Sequence, residues 1–450
     1  MLEGQDWLVE HSSPNMFKPF HVGHLVNNFV GASLERVIRA QGAEVTAVSF
    51  PSDVSPGIAK AVWGLMDMGR ANFFTIEDIG DAYARGSVRY KEDLEVKKEI
   101  DSINLELYQG QDTKAYKVYR KGLVLSEEYF LNITKRLGSV FSALLPESVC
   151  EPEGKRIVRE NMGIVFEESD GAIIFRGSEH GLFDNVFINS AGYGTYLTKD
   201  IGLMSLKQKN YDFDRSLTVT DIEQKQHFQL LVKAAEQIPE LRANKFQYVQ
   251  HGRLTLTSGK ISSRDGGVPL AEDLLEDVIE RVQDKAKEKT GELNSQEAEV
   301  IAQAALKYTI LRTSAGKNIV FDLERDLSFE GDSGPYLLYS YVRARAALAK
   351  INNIDRSRSI NTRTEDVPEL QRMLVRFPDY VAKGFTDYSP HHVAGYLQQL
   401  AATFSSFYAE TKINDPDNPD MEENVRLVEA FALTMKNGLA LLGIGTVERM

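Results

Sequence analysis

The sequence predicts an α/β fold: a parallel sheet interrupted by a helical insertion, followed by an all-α C-terminal bundle. Three observations carry this reading. Short apolar runs alternate with helical periods over the first 250 residues, a long charged stretch of helical period lies between about Ile76 and Leu145, and only helical patterns follow Pro269. The 450 residues are 42% hydrophobic and 26% charged, the mix of a globular chain of about three domains.

The elements follow in order. Trp7-Leu8-Val9 is a short apolar strand, and Ser12-Ser13-Pro14-Asn15 with Pro19 is loop chemistry. From Val22 to Ala40 a helix places Leu25, Phe29, Val30, Leu34, Val37 and Ile38 on one face, Gly42 stops it, and a strand runs towards Phe50, giving a βαβ unit. After the insertion, expected over about 70–145, strands are predicted at Ile173-Ile174-Phe175, Val186-Phe187-Ile188, Leu217-Thr218-Val219 and Phe246 to Val249, with helices over Tyr196 to Lys207 and Gln224 to Ala235. The run Glu272, Asp273, Glu276, Asp277, Glu280 reads as the solvated face of a helix, and the Asp-rich break from Asn414 to Asp420 separates helices of the bundle. These features divide the chain into an α/β domain over 1–289, a helical junction over 290–332 and a helical domain over 333–450.

Net charge is −13, the opposite of the balance usual for nucleic-acid binders, so a polyanionic partner must meet a local basic patch. The single cysteine, Cys150, excludes an internal disulfide and a cysteine-rich zinc site, which favours a reducing compartment. No basic start leads into an apolar run and no 18-residue uncharged apolar stretch occurs, so a cytoplasmic protein without membrane contact is expected.

Two motifs carry chemistry. His21-Val22-Gly23-His24 sits where a loop enters a helix; the unpaired N–H groups there and two imidazoles suit nucleotide phosphates, and Gly23 admits a flat ring. Gly259-Lys260-Ile261-Ser262-Ser263-Arg264 is a cationic, hydroxyl-rich loop suited to a pyrophosphate leaving group. Alone, the first also fits a helix start capped by histidines and the second an exposed basic turn. Together, in this order around an interrupted sheet, they are far more specific.

The pair HVGH and KISSR resembles the signatures of class I aminoacyl-tRNA synthetases, and the surroundings resemble the arginyl-tRNA synthetases in particular. EHSSPNMFKPFHVGH (Glu10 to His24), GTYLTKD (Gly194 to Asp200), Glu223-Gln224 with His227-Phe228, EGDSGPYLLYSYVRAR (Glu330 to Arg345), FSSFY (Phe404 to Tyr408) and LLGIGTVERM (Leu441 to Met450) all carry the similarity. The resemblance implies a Rossmann-type catalytic sheet, an anticodon-binding bundle, and ATP-dependent formation of an arginyl adenylate with transfer to the terminal ribose of tRNA(Arg). It implies catalytic roles for His21, His24 and Lys260, ATP contacts from Ser13, His21, Gly23, His24, Lys260, Ser262 and Ser263, and arginine contacts from Glu10, Asn15, Tyr196, Asp200 and Gln224. Magnesium is expected with the triphosphate, as part of the substrate, and no protein-bound metal. Alternatives of other classes are a synthetase-derived tRNA-binding protein with weak or no charging, and a free-standing nucleotidyltransferase; intact Lys260, Asp200 and both histidines argue against the first, the helical C-terminal third against the second.

The chain departs from the family pattern at Val26-Asn27, where Arg-Ser is usual, at Ser52-Asp53-Val54-Ser55, where Gly-Asp-x-Gly is usual, and at Val447, where proline is usual. It starts about ten residues before the first motif, so the family's N-terminal tRNA-elbow module is expected to be absent. Between Arg343 and Lys383 nine basic residues face five acidic ones, a local cationic surface for tRNA. Arg343, Arg345 and Tyr408 are the candidate tRNA contacts, although tyrosines at helical spacing also suit a bundle core. A monomer is expected.

Overall fold

A computed structural model describes residues 1–257, 269–289, 291–351, 367–415 and 417–450. Their contacts group into two units that are not contiguous in sequence: 4–28 with 44–250, and 1–3 with 29–43 and 251–450.

The first unit contains β1 (Asp6–Glu10), the start of α1 (Val22–Ala40), β2 (Glu44–Ser49), α2 (Pro56–Asp67), α3 (Ile76–Glu92), α4 (Leu94–Gln109), α5 (Lys114–Arg136), β3 (Ala143–Leu144), α6 (Glu147–Glu160), β4 (Glu167–Ser169), β5 (Ala172–Phe175), β6 (Asn185–Ile188), α7 (Tyr196–Asn210), β7 (Arg215–Asp221), α8 (Lys225–Ala235) and β8 (Phe246–His251). The main sheet has the order β3-β2-β1-β7-β8. β1 runs parallel to both neighbours, with Glu10 level with Val48 on β2 and Thr218 on β7. Trp7, Leu8 and Val9 are all buried, as a central parallel strand covered on both faces requires. The strand order reverses beside β1, so the crevice at the carboxyl ends of β1 and β7 is where this architecture places ligands.

The insertion folds as α3, α4 and α5, with buried residues such as Ile79, Ile100 and Val118 packed with Trp63 of α2. A Thr75–Asp78 capping box starts α3, Asp93 caps α4, and a left-handed Gly110 ends it. Helices α6 and α7 touch backbone to backbone. A Cβ on Gly154 would lie 1.8 Å from Thr198 O, and one on Gly202 would lie 1.9 Å from Cys150 O.

One expectation is corrected here. Ile173 to Phe175 and Val186 to Ile188 do not extend the parallel sheet; with β4 they form a separate antiparallel one. Asp170 (φ 51°) and Gly171 (φ 76°) are both left-handed, which makes β4–β5 a tight hairpin.

The second unit holds Phe29 to Ala40 of α1, β9 (Leu254–Leu256), α9 (Ala271–Lys289), α10 (Ser295–Leu311), β10 (Ile319–Phe321), α11 (Leu323–Asp326), α12 (Gly334–Leu348), α13 (Glu369–Val375), α14 (Phe377–Thr386), α15 (His391–Glu410) and α16 (Met421–Leu441). The reading of helices alone after Pro269 is corrected by β10, which pairs in parallel with β9. Phe404 of α15 stacks on Phe431 of α16 at 3.8 Å inside the bundle. The C-terminal segment returns to α1, where Ser33 Oγ donates to Leu441 O (2.9 Å). Among the described residues no helix is long and apolar enough to cross a membrane.

Candidate active site

The loop that leaves β1 is held in an unusual conformation. Ser12 is left-handed (φ 56°) and buried, and every polar group on it is engaged: its N–H donates to Asn27 Oδ1 (2.6 Å), its carbonyl accepts from Ser49 Oγ (2.9 Å), and its hydroxyl meets Asn28 Nδ2 (3.0 Å) and His11 Nδ1 (2.9 Å). Such networks repay backbone strain at functional loops. Asn27 also donates to Val219 O on β7 (2.8 Å), so this departure from the family pattern ties the β1 loop to the neighbouring strand. Farther on, Phe17 is left-handed (φ 59°), and its fully buried ring faces Gly122 of α5. A Cβ on Gly122 would come within 2.2 Å of the ring, and Phe17 N donates to Ser126 Oγ (3.2 Å). The insertion therefore clamps the loop that carries Ser13 and Asn15. Both of these are exposed, and Ser13 Oγ accepts from Phe50 N (3.1 Å).

His21 and His24 lie at the start of α1 with their rings stacked at 3.7 Å. Gly23 N donates to His21 Nδ1 (3.1 Å), and His21 N donates to His24 Nδ1 (3.2 Å). Burial, then Lys18, lowers the His21 pKa to about 4. Burial, then His21 and Lys18, holds His24 well below its ordinary value. Both imidazoles are neutral near pH 7, and because each Nδ1 accepts a backbone N–H, each carries its proton on Nε2. The motif is thus a pair of Nε2–H donors beside a helix N-terminus, suited to phosphate oxygens.

The turn at 52–55 needs no glycine. Ser52 exchanges backbone hydrogen bonds with the β1 loop, its N–H to Pro14 O and its carbonyl from Met16 N (both 2.9 Å). Asp53 is buried and accepts from Ser148 N (2.9 Å) and Ser148 Oγ (2.5 Å), while Ser55, extended at φ −167°, caps α2 through Ile58 N. Serine fits both positions because neither has positive φ, and at 55 it caps α2.

On α7, Tyr196 is 58% exposed, whereas the Asp200 carboxylate is largely buried and bound through Oδ2 to His227 Nε2 (2.5 Å) at the start of α8. Gln224 is exposed at the entry to α8. Tyr196, Asp200 and Gln224 thus lie on α7 and at the start of α8, the two helices joined by the Asp200–His227 bond. Glu10 has a partner that the sequence did not reveal: it is buried in an ion pair with Lys207, and Thr218 Oγ1 donates to it (3.2 Å). Lys199, Glu147 and Glu151, also unmarked beforehand, form a buried polar cluster beneath Tyr196. The signal for Lys207 was a lysine on the apolar face shared with Leu203 and Met204.

Lys260, Ser262 and Ser263 lie outside the described residues, as do Arg356, Arg358 and Arg363 of the cationic segment. In the bundle, the Arg343 guanidinium lies over the Tyr408 ring at 4.1 Å, Arg345 is exposed, and Tyr341 is buried. Among the described residues no group of three or more His, Cys, Asp or Glu is placed to hold a metal ion.

Residues 2–323 match the family described as tRNA synthetases class I (R), catalytic domain, and residues 337–450 match the DALR anticodon binding domain. An arginine–tRNA ligase of Borrelia duttonii (strain Ly) is 29% identical over all of this chain and 80% of its own length. One of Clostridium botulinum (strain Alaska E43 / Type E3) is 29% identical over all of this chain and 81% of its own. The fold is also that of Thermus thermophilus arginyl-tRNA synthetase (TM-score 0.81, 23% identity, all of this chain and 83% of that one). The same holds for the Plasmodium falciparum arginyl-tRNA synthetase (TM-score 0.82, 20% identity, 99% of this chain and 77% of that one). With a family match that spans well over half of its length, the chain belongs to the class I (R) tRNA synthetases.

Proposed function

We propose that this chain is an arginine–tRNA ligase: it activates L-arginine with ATP to arginyl adenylate and passes the arginyl group to the terminal ribose of tRNA(Arg). The observation that carries this reading is Asp200, a largely buried carboxylate whose Oδ2 is oriented by His227 while Tyr196 lies one turn away on α7. A guanidinium needs such a fixed carboxylate and planar acceptors, and Gln224 supplies an amide oxygen, while Glu10 and Asn15 serve the amino and backbone groups of the arginine. The Nε2–H groups of His21 and His24, with Ser13, Gly23 and the loop bearing Lys260, Ser262 and Ser263, serve the nucleotide, whose triphosphate brings magnesium as part of the substrate. The arginine carboxylate attacks the α-phosphate in line, and the protein contributes positioning and electrostatics.

The bundle at 333–450 reads tRNA, with Arg343, Arg345 and Tyr408 at its surface, and the chain acts as a cytoplasmic monomer. Aminoacylation of a tRNA pool with each of the amino acids in turn tests the reading. Charging with arginine alone is expected; equal charging with lysine, or tRNA binding without charging, overturns it.

A further inference from the structure

We infer that Lys199 is a positioning residue that joins the arginine-binding helix α7 to the turn bracing the nucleotide loop. It rests on the reading of Asp200 and Tyr196 as arginine contacts.

Lys199 precedes Asp200 and is buried. Its Nζ pairs with Glu147 of α6 (2.5 Å) and donates to Val54 O (3.3 Å) in the 52–55 turn. The same ammonium lies 5.4 Å from the Tyr196 ring centroid and 5.9 Å from that of Tyr108 on α4. Each contact leads to a part of the site. Tyr196 is otherwise half exposed, so the cation beneath it fixes the ring that flanks the substrate. Val54 adjoins Ser52 and Asp53, and Ser52 N donates to the carbonyl of Pro14, the residue after the ATP contact Ser13, while Met16 N donates to Ser52 O. Glu147 N donates to Pro51 O (3.1 Å), and Glu151, one turn along α6, accepts from Gly194 N (3.0 Å) just before Tyr196. Lys199 therefore stands where the arginine side and the ATP side of the crevice meet.

A buried ion pair is a poor source of stability, because the desolvation of both ions offsets their attraction. Burial pushes Glu147 up to about 7 even with Lys199 beside it. Burial opposes the Lys199 ammonium too, but Glu147 and Tyr108 outweigh it and raise its pKa. An apolar pair of the same volume would pack α6 on α7 as well; it would not hold Val54 O or the Tyr196 ring.

Three variants separate positioning from packing: Lys199→Arg, Lys199→Met, and the double variant Lys199→Met/Glu147→Gln, which removes both charges. In ATP–pyrophosphate exchange with arginine and whole tRNA, Lys199→Met is expected to lower kcat/KM about 100-fold, the cost of roughly 1 Å of misplacement, with KM rising for both arginine and ATP. Lys199→Arg keeps the charge and recovers most of the loss. The double variant regains the wild-type thermal midpoint yet stays low in kcat/KM. Recovery of kcat/KM together with the midpoint in the double variant overturns the inference, as does a rise in KM for one substrate only. Wild-type protein in the same assay tests the underlying reading separately, since failure to use arginine there contradicts the assignment of Asp200 and Tyr196 whatever the variants do.

Discussion

The stacked histidines make a prediction whose size follows from the structure. In the folded protein His21 is held near 4, against 6.5 ordinarily, by burial and by Lys18. Protonated His21 in the native state would have to give up the Gly23 N–H bond to Nδ1 and charge a desolvated ring, so protons bind preferentially to the unfolded chain. The group's full stabilisation is present above pH 6.5 and is lost as pH falls from 6.5 towards 4. At pH 5.5 the unfolded imidazole is mostly charged and the folded one is not, which corresponds to about 1.4 kcal/mol relative to pH 7.5. His24 adds a loss of the same sign. Both tryptophans, Trp7 and Trp63, are buried in the unit that contains His21, so their fluorescence reports its unfolding. Urea unfolding at pH 7.5 and 5.5, for wild type and for His21→Asn, reads the effect; because His21 also helps hold His24 low, any change at His24 in the variant adds to the difference with the same sign. Wild type is expected to lose about 1.4 kcal/mol more than the variant over this interval. An equal loss in the two proteins would refute the neutral, Nε2-protonated assignment.

Three further outcomes are expected. Gly122→Ala forces a methyl group into the Phe17 ring and costs about 1–3 kcal/mol by overpacking, seen in the same fluorescence transition; the additional change Phe17→Leu is expected to recover part of it. Asp200→Asn removes a charge-assisted contact and is expected to lower kcat/KM for arginine roughly 10- to 150-fold in pyrophosphate exchange, with KM for ATP unchanged; a parallel rise in KM for ATP would contradict its assignment to arginine. Lys307, buried in α10 with its ammonium on Gly443 O (2.7 Å) and Gln303 Oε1 (2.9 Å), is brought down to about 7 by burial and then by Arg36. Its pKa is lower folded than unfolded, so wild-type stability gains with rising pH between about 7 and 10.5, and the thermal midpoint of wild type is expected to climb relative to Lys307→Met from pH 7 to 9.

Most of the architecture was legible because its signals are local. The apolar strand at Trp7 to Val9, the helical face from Leu25 to Ile38 and the charged helices of the insertion have periods that burial enforces directly. Elements of two or three residues escaped this logic. Ile319 to Phe321 is too short to show a period, and its pairing with Leu254 to Leu256 is a contact between distant segments. The strands on either side of Asp170-Gly171 form, with β6, a sheet of their own rather than extend the parallel one, a choice of partner that no local period encodes.

The site divides in the same way. By itself the sequence determined the chemical inventory: two histidines at a helix start, a basic, hydroxyl-rich segment, and Tyr196 and Asp200 at i and i+4 on one helix, because motif spacing and helical geometry are properties of a contiguous chain. Tertiary structure alone decided the partners. That Glu10 pairs with Lys207 197 residues away, that His227 takes one oxygen of Asp200, that Asn27 joins the β1 loop to β7, and that Gly122 makes room for Phe17 depend on which groups the folded sheet and insertion bring together. The protonation states of His21 and His24 depend on it in part: the backbone donors that set the tautomer lie two and three residues away at the start of α1, whereas the desolvation that lowers both pKa values comes only with burial in the folded protein.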